Sequence, residues 1–172
     1  MGLRTPKALG PEDSAWKQLE QEWEAALQQA QPAVPYPTDD LPTCREEDLG
    51  DLGKVNSLRA QALRAQYDLG QWLVFLRRRL RTRQNLTRCY ETMFMAEAEK
   101  QNSARKKQFR MSLRALEGAL LVDATYLRLQ HQENEAQTDK DYLEADYNYV
   151  DRLLKLLTPH EWRGTQPNVH TL

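Results

Sequence analysis

Nowhere in this chain do about 18 apolar residues run together, and its start lacks the basic, apolar and small-residue order of a secretory leader. The expectation is a protein that neither spans a membrane nor is exported, and that works in the cytoplasm. Pro6 also breaks the myristoylation pattern behind Gly2. Cysteine is nearly absent. Cys44 and Cys89 stand far apart with no CxxC pair, which excludes a disulfide framework and a thiolate zinc site, so both read as reduced and incidental. The three histidines, His131, His160 and His170, have no metal-box spacing. His131 and Glu135 form an i, i+4 pair, but without a second pair they read as a solvated helix face. Acidic residues crowd between Glu133 and Asp146 without the glycine and spacing of a calcium loop. No GxGxxG, P-loop or GxSxG is present, and alternating runs of β-branched residues are missing. No enzyme, metal or cofactor is expected, and the fold class is all-α.

What is present is a segregation of charge that the net value of −1 conceals. Residues 1–53 hold 4 basic against 11 acidic side chains, residues 54–114 hold 15 against 4, and residues 115–172 hold 5 against 10. A strongly cationic segment flanked by acidic ones points to a polyanion-binding surface. The competing reading is that the basic block pairs with its acidic neighbours inside the fold. Six arginines between Arg77 and Arg88 exceed what self-pairing needs, and arginine suits phosphate forks and base stacking. At 172 residues the chain can bury one core, so one domain with appendages is expected.

The rest of the chain is organised around Leu58 to Lys100. On a helical wheel, Leu58, Ala62, Ala65, Leu69, Trp72, Leu73, Leu80, Thr87, Tyr90 and Phe94 fall within about 60° of Leu76. Arg59, Arg77, Arg78, Arg81 and Arg88 fall together at roughly 100° to 200°, a cationic stripe beside an apolar one. No proline interrupts the segment, and Gly70 alone costs only ~1 kcal/mol against alanine. A long amphipathic helix near residues 57 to 100 follows, capped by Asn56 or Ser57. Its apolar stripe is longer than the shorter helices can cover, so Leu69, Trp72, Leu73, Leu76, Leu80, Tyr90 and Phe94 are expected to build a homo-oligomer.

Residues 1–12 show no periodicity and read as disordered. Residues 13–30 read as an acidic amphipathic helix carrying Trp16, Leu19 and Trp23. That helix is either an arm for a partner, a nucleic-acid mimic covering the basic helix, or an ordinary packed helix. Residues 31–53 hold Pro32, Pro35, Pro37 and Pro42 and read as a linker and domain boundary. Residues 54–164 form the expected helical domain. After a polar break at Gln101 to Ser103, Phe109, Leu113, Leu116, Leu120, Ala124 and Leu127 mark a second helix near 104 to 135, completing a hairpin. It extends the basic surface with Arg105, Lys106, Lys107 and Arg110. The stretch His131 to Asp139 is polar all round, and is read as a solvent-projecting end or a loop. A third helix near 139 to 157 follows, whose Tyr142, Tyr147 and Tyr149 are more often core than base-stacking residues. Thr158 to Glu161 spells a capping box for a short turn with Trp162 and Arg163, and residues 165–172 are tail.

The order of these helices, with Tyr67 to Leu73, Leu121 to Leu129, Tyr149 to Leu157 and the terminal Glu161-Trp162-Arg163-Gly164, resembles the UvsY-like family of phage recombination mediators over roughly residues 54–164. That resemblance implies a small, helical, oligomeric, cytosolic protein that binds single-stranded DNA, contacts the single-strand-binding protein and loads a RecA-like recombinase. The acidic helix and proline-rich stretch before residue 54 depart from it. The DNA contacts rest on the wheel and on charge: Arg77, Arg78, Arg81, Arg83, Arg88, Arg105, Lys106, Lys107 and Arg110. The alternative class is a helical phage assembly or regulatory protein whose basic face docks on an acidic protein.

Overall fold

The computed structural model describes residues 13–36, 41–105 and 107–158. Four α-helices carry them: α1 (Asp13–Gln29), α2 (Leu52–Ser103), α3 (Leu113–Leu121) and α4 (Ala124–Leu157). Short 3-10 turns span Glu46–Gly50 and Lys107–Phe109, and no strand occurs among the described residues. The expected disorder of residues 1–12, the terminal turn with Trp162 and the tail lie outside the described residues.

The long helix starts earlier than its asparagine and serine suggest. The Asp51 carboxylate accepts the backbone N–H groups of Gly53 (2.9 Å) and Lys54 (3.2 Å), so it does the capping that Asn56 and Ser57 were expected to do. Along α2, burial recurs at Ala62, Leu69, Leu76, Arg83 and Tyr90; along α4 it recurs at Leu129, Ala136, Leu143, Val150 and Leu157. A seven-residue repeat keeps one seam of a helix facing its packing partner, as in coiled coils.

The chain divides into two packed units, which share α2 and α4. One comprises residues 1–31 and 75–140. Its core gathers Trp16 of α1, Leu86, Tyr90, Phe94 and Ala98 of α2, Leu116 and Leu120 of α3, and Tyr126 and Leu129 of α4. The Trp16 and Tyr90 rings meet edge to face at 4.9 Å. Replacing fully buried Phe94 by alanine would cost roughly 3–5 kcal/mol. The connection from α2 to α3 is closed by Asn102, whose amide donates to Met111 O (2.9 Å) and whose Oδ1 accepts Met111 N–H (2.7 Å).

Two expectations fail in this unit. No helix begins at residue 104: the 3-10 turn Lys107–Phe109 comes first, and Ser112 caps α3 by accepting Ala115 N–H. Phe109 and Leu113, expected on the second apolar stripe, are consequently exposed. The next break falls at Val122–Asp123 and not in the polar stretch 131–139, which is continuous helix. One oxygen of Asp123 accepts the N–H groups of Thr125 and Tyr126 and the hydroxyl of Tyr90 (2.8 Å), which fixes the start of α4. The separate helix expected near 139 to 157 is the second half of α4.

The other unit comprises residues 32–74 and 141–172. Ala62, Leu69, Trp72 and Leu73 of α2, with Leu143, Val150, Leu153, Leu154 and Leu157 of α4, are its buried apolar residues. Gln66 donates to Asp151 (3.2 Å), tying the two helices. The segment read as a linker packs here. Trp72 Nε1 donates to the carbonyls of Val34 (3.1 Å) and Pro35 (3.0 Å), Tyr36 meets Trp72 edge to face, and the Tyr149 hydroxyl donates to Pro42 O. Prolines deny the segment a helix, and the carbonyls they leave without helical partners become acceptors for the indole.

Candidate nucleic-acid interface

Between Asp68 and Glu91, α2 contains six arginines and no acidic residue. Folding sorts them. Arg83 occupies the buried seam, with 8% of its surface exposed, and it pairs with Glu24 of α1 and donates to Gln132 of α4 (3.4 Å). Its Nε is buried without a hydrogen-bond partner. Arg83 is therefore a packing residue with little surface to offer a phosphate. Arg79, half-buried, is bound to Asp139 of α4 at 2.8 Å. Arg77 is exposed and already engaged in an interaction of its own. Arg78, Arg81 and Arg88 are exposed and have no ion pair among the described residues.

The remaining expected contacts lie on the turn after α2. Lys107 and Arg110 are exposed, Arg105 is half-buried, and Lys106 lies outside the described residues. Arg110 donates to the carbonyls of Ser103 (3.1 Å) and Arg105 (3.4 Å). Those acceptors are neutral, so the guanidinium is held in place with no ion pair among the described residues.

The acidic helix is not a free arm. Trp16 is buried, and the partly buried Leu19 and Trp23 pack against the same core. Its carboxylates complete the attachment. Glu24 meets Arg83, and Glu20 forms a two-pronged pair with Arg128 of α4 at 2.6 and 3.0 Å. The hydrogen bond to Glu20 holds the Arg128 guanidinium above its ordinary pKa, against the opposing effect of burial. The packed-helix reading of residues 13–30 is the one that holds.

The residues expected to join copies of the chain, Leu69, Trp72, Leu73, Leu76, Leu80, Tyr90 and Phe94, are all buried within the single chain. The apolar stripe that was expected to meet a second copy is largely covered within the chain itself.

Beside Arg79, an open hollow of about 410 Å³ is lined by His131, Asn134, Glu135, Thr138 and Asp139. Arg79 is paired with Asp139, and His131 Nε2 lies 3.3 Å from Glu135. No group of three or more potential metal ligands occurs among the described residues, and no helix there is long and apolar enough to cross a membrane. In comparison with known proteins, no family model, no curated protein and no solved structure matches this chain.

Proposed function

We propose that the chain is a non-enzymatic nucleic-acid-binding protein whose outer α2 face grips the phosphate backbone. One observation carries this: Arg78, Arg81 and Arg88 stand exposed, without an ion pair among the described residues, on a stretch of helix with no carboxylate of its own. Arg78 and Arg88 are ten residues apart, about 15 Å along the axis, so a single bound strand can lie across both. Arg105, Lys107 and Arg110 add charge on the turn that follows. The resemblance to phage recombination mediators supplies the specific role: binding single-stranded DNA and, with the single-strand-binding protein, helping to load a RecA-like recombinase. Self-association belongs to that role by resemblance alone, since the apolar stripe no longer argues for it.

A second reading has its own support. Arg79 and Arg83 already pair with carboxylates of α4 and α1, so α2 can dock acidic protein surfaces. In that reading the outer arginines receive an acidic partner protein.

Titrating the full chain into labelled oligo(dT) and into duplex of equal length, at several salt concentrations, decides between them. About five contacts predict a log–log salt slope near −3.5 on single strands, from ~0.7 per contact. Tighter binding to oligo(dT) than to duplex supports the mediator role. Absence of salt-dependent binding to either removes nucleic acid as the ligand and leaves the acidic protein. Light scattering on the same sample tests the homo-oligomer, and a 20.1 kDa particle removes it.

A further inference from the structure

The three phenylalanines have different fates: Phe94 is in the core, Phe75 is half-buried, and Phe109 has 63% of its surface exposed. An exposed phenylalanine forfeits most of the free energy that burial would supply, so its surroundings merit scrutiny. It ends the 3-10 turn Lys107–Phe109, and the turn is not loose. Asn102 ties both backbone groups of Met111, and Arg110 holds the carbonyls of Ser103 and Arg105. Phe109 is thus displayed on a braced segment. Around it in sequence stand Lys107, Arg110 and Arg114, all exposed, and none has an ion pair among the described residues. No acidic residue occurs from Lys100 to Leu116.

A displayed aromatic ring among uncompensated cations is the combination that binds unpaired bases: the ring takes a base face and the cations take the flanking phosphates. A duplex hides its base faces in its own stack, so such a ring gains little from it. We infer that Phe109 is a base-stacking residue and that Lys107, Arg110 and Arg114 around it hold the adjoining phosphates of a single strand. The inference rests on the nucleic-acid reading above and deepens it, adding to the phosphate grip of α2 a second contact that recognises single strands through their bases. The same surface would also suit an anionic lipid bilayer, and the experiment separates the two.

Affinity of the full chain is measured for oligo(dT), for an abasic oligonucleotide of equal length, and for phosphatidylcholine vesicles with and without phosphatidylserine. Phe109→Ala and Phe109→Leu should each weaken oligo(dT) binding roughly 5- to 150-fold, the size of one lost base–aromatic stack. The salt slope should not change, because no charge is removed. Phe109→Trp should restore the affinity. The abasic strand should bind the unaltered protein about as weakly as oligo(dT) binds Phe109→Ala, and the substitution should weaken abasic binding no further. Circular dichroism should be unchanged in all three variants, since the ring lies outside the core. If the unaltered protein binds oligo(dT) with the expected slope but Phe109→Ala binds equally well, the stacking role is overturned and the phosphate grip of α2 survives. Equal affinity for the abasic strand and oligo(dT) has the same meaning. If no oligonucleotide binds at all, both readings fall. If Phe109→Ala loses only its hold on phosphatidylserine vesicles, the turn is a membrane contact and the stacking role is overturned.

Discussion

The inner and outer arginines of α2 share one helix and one stretch without acids, yet their surroundings are opposite. Arg83 faces inward, where a charge survives only with a partner, and Glu24 of α1 supplies it. Arg78, Arg81 and Arg88 face outward, where water solvates the charge and no partner is required. A charge count cannot distinguish the groups. What separates them is angle: about 100° per residue puts Arg83 roughly 20° from Leu76, on the apolar stripe, and the other three more than 100° away. Arginine on the seam serves the fold, and arginine opposite the seam is available for a ligand.

The largest expected effect comes from breaking the inner group. Arg83→Ala removes the ion pair and opens a cavity where the arginine stem packed, and should cost about 2–4 kcal/mol in a urea unfolding titration. The full cost of an orphaned buried charge is not expected, because the Glu24 side chain keeps 38% of its surface exposed and can be hydrated. Arg83→Met should cost less, since it refills the volume and removes the unpartnered Nε. Neither variant should alter the salt slope of nucleic-acid binding. A flattened slope with unchanged stability would reverse the roles assigned to the two groups.

The features visible in the sequence were the local ones. Repeating apolar positions announce α2, the acidic helix ends within a residue of its expected bound, and the polar triplet Gln101 to Ser103 marks the end of α2. Arg83 was misread: the ~100° spacing puts it on the packing stripe, but its residue type grouped it with the surface cations expected to contact DNA. Features that depend on distant partners were hidden. The break at Val122–Asp123 has no proline or glycine to signal it, and depends on the Tyr90 hydroxyl reaching Asp123. The polar stretch 131–139 resembles a loop because its partners, Arg79 and Arg83, are on another helix. The packing of the proline-rich segment depends on an indole far along the chain. Aromatic exposure was misread for the same reason: Phe109 keeps helical spacing with Leu113, but the helix it would have joined begins after it.

Removing the outer group should produce the next largest effect, on binding and not on folding. Replacing Arg78, Arg81 and Arg88 together by alanine removes three contacts and should flatten the salt slope by about two units. Near 0.1 M salt that is roughly a 100-fold loss of affinity, or about 2.7 kcal/mol. Unfolding free energy should stay within about 0.5 kcal/mol of the unaltered protein, as is usual for surface positions. A large loss of stability would mean these side chains are structural after all.

Arg79 lies between the groups, and its response sharpens the boundary between them. Its pair with Asp139 is short, but the side chains keep 31% and 45% of their surface exposed, so water already solvates much of both charges. Asp139→Asn should therefore cost about 0.5 kcal/mol or less in unfolding experiments, and the cost should fade as salt rises. The substitution also leaves the Arg79 charge uncompensated without moving the guanidinium far. If a bound strand passes near Arg79, the variant should gain up to ~0.7 units of salt slope, the increment for one further phosphate contact. An unchanged slope would confine the path to the face of Arg78, Arg81 and Arg88. The single amide substitution thus locates the edge of the interface through binding alone, with stability as the control that the helix pair has not moved.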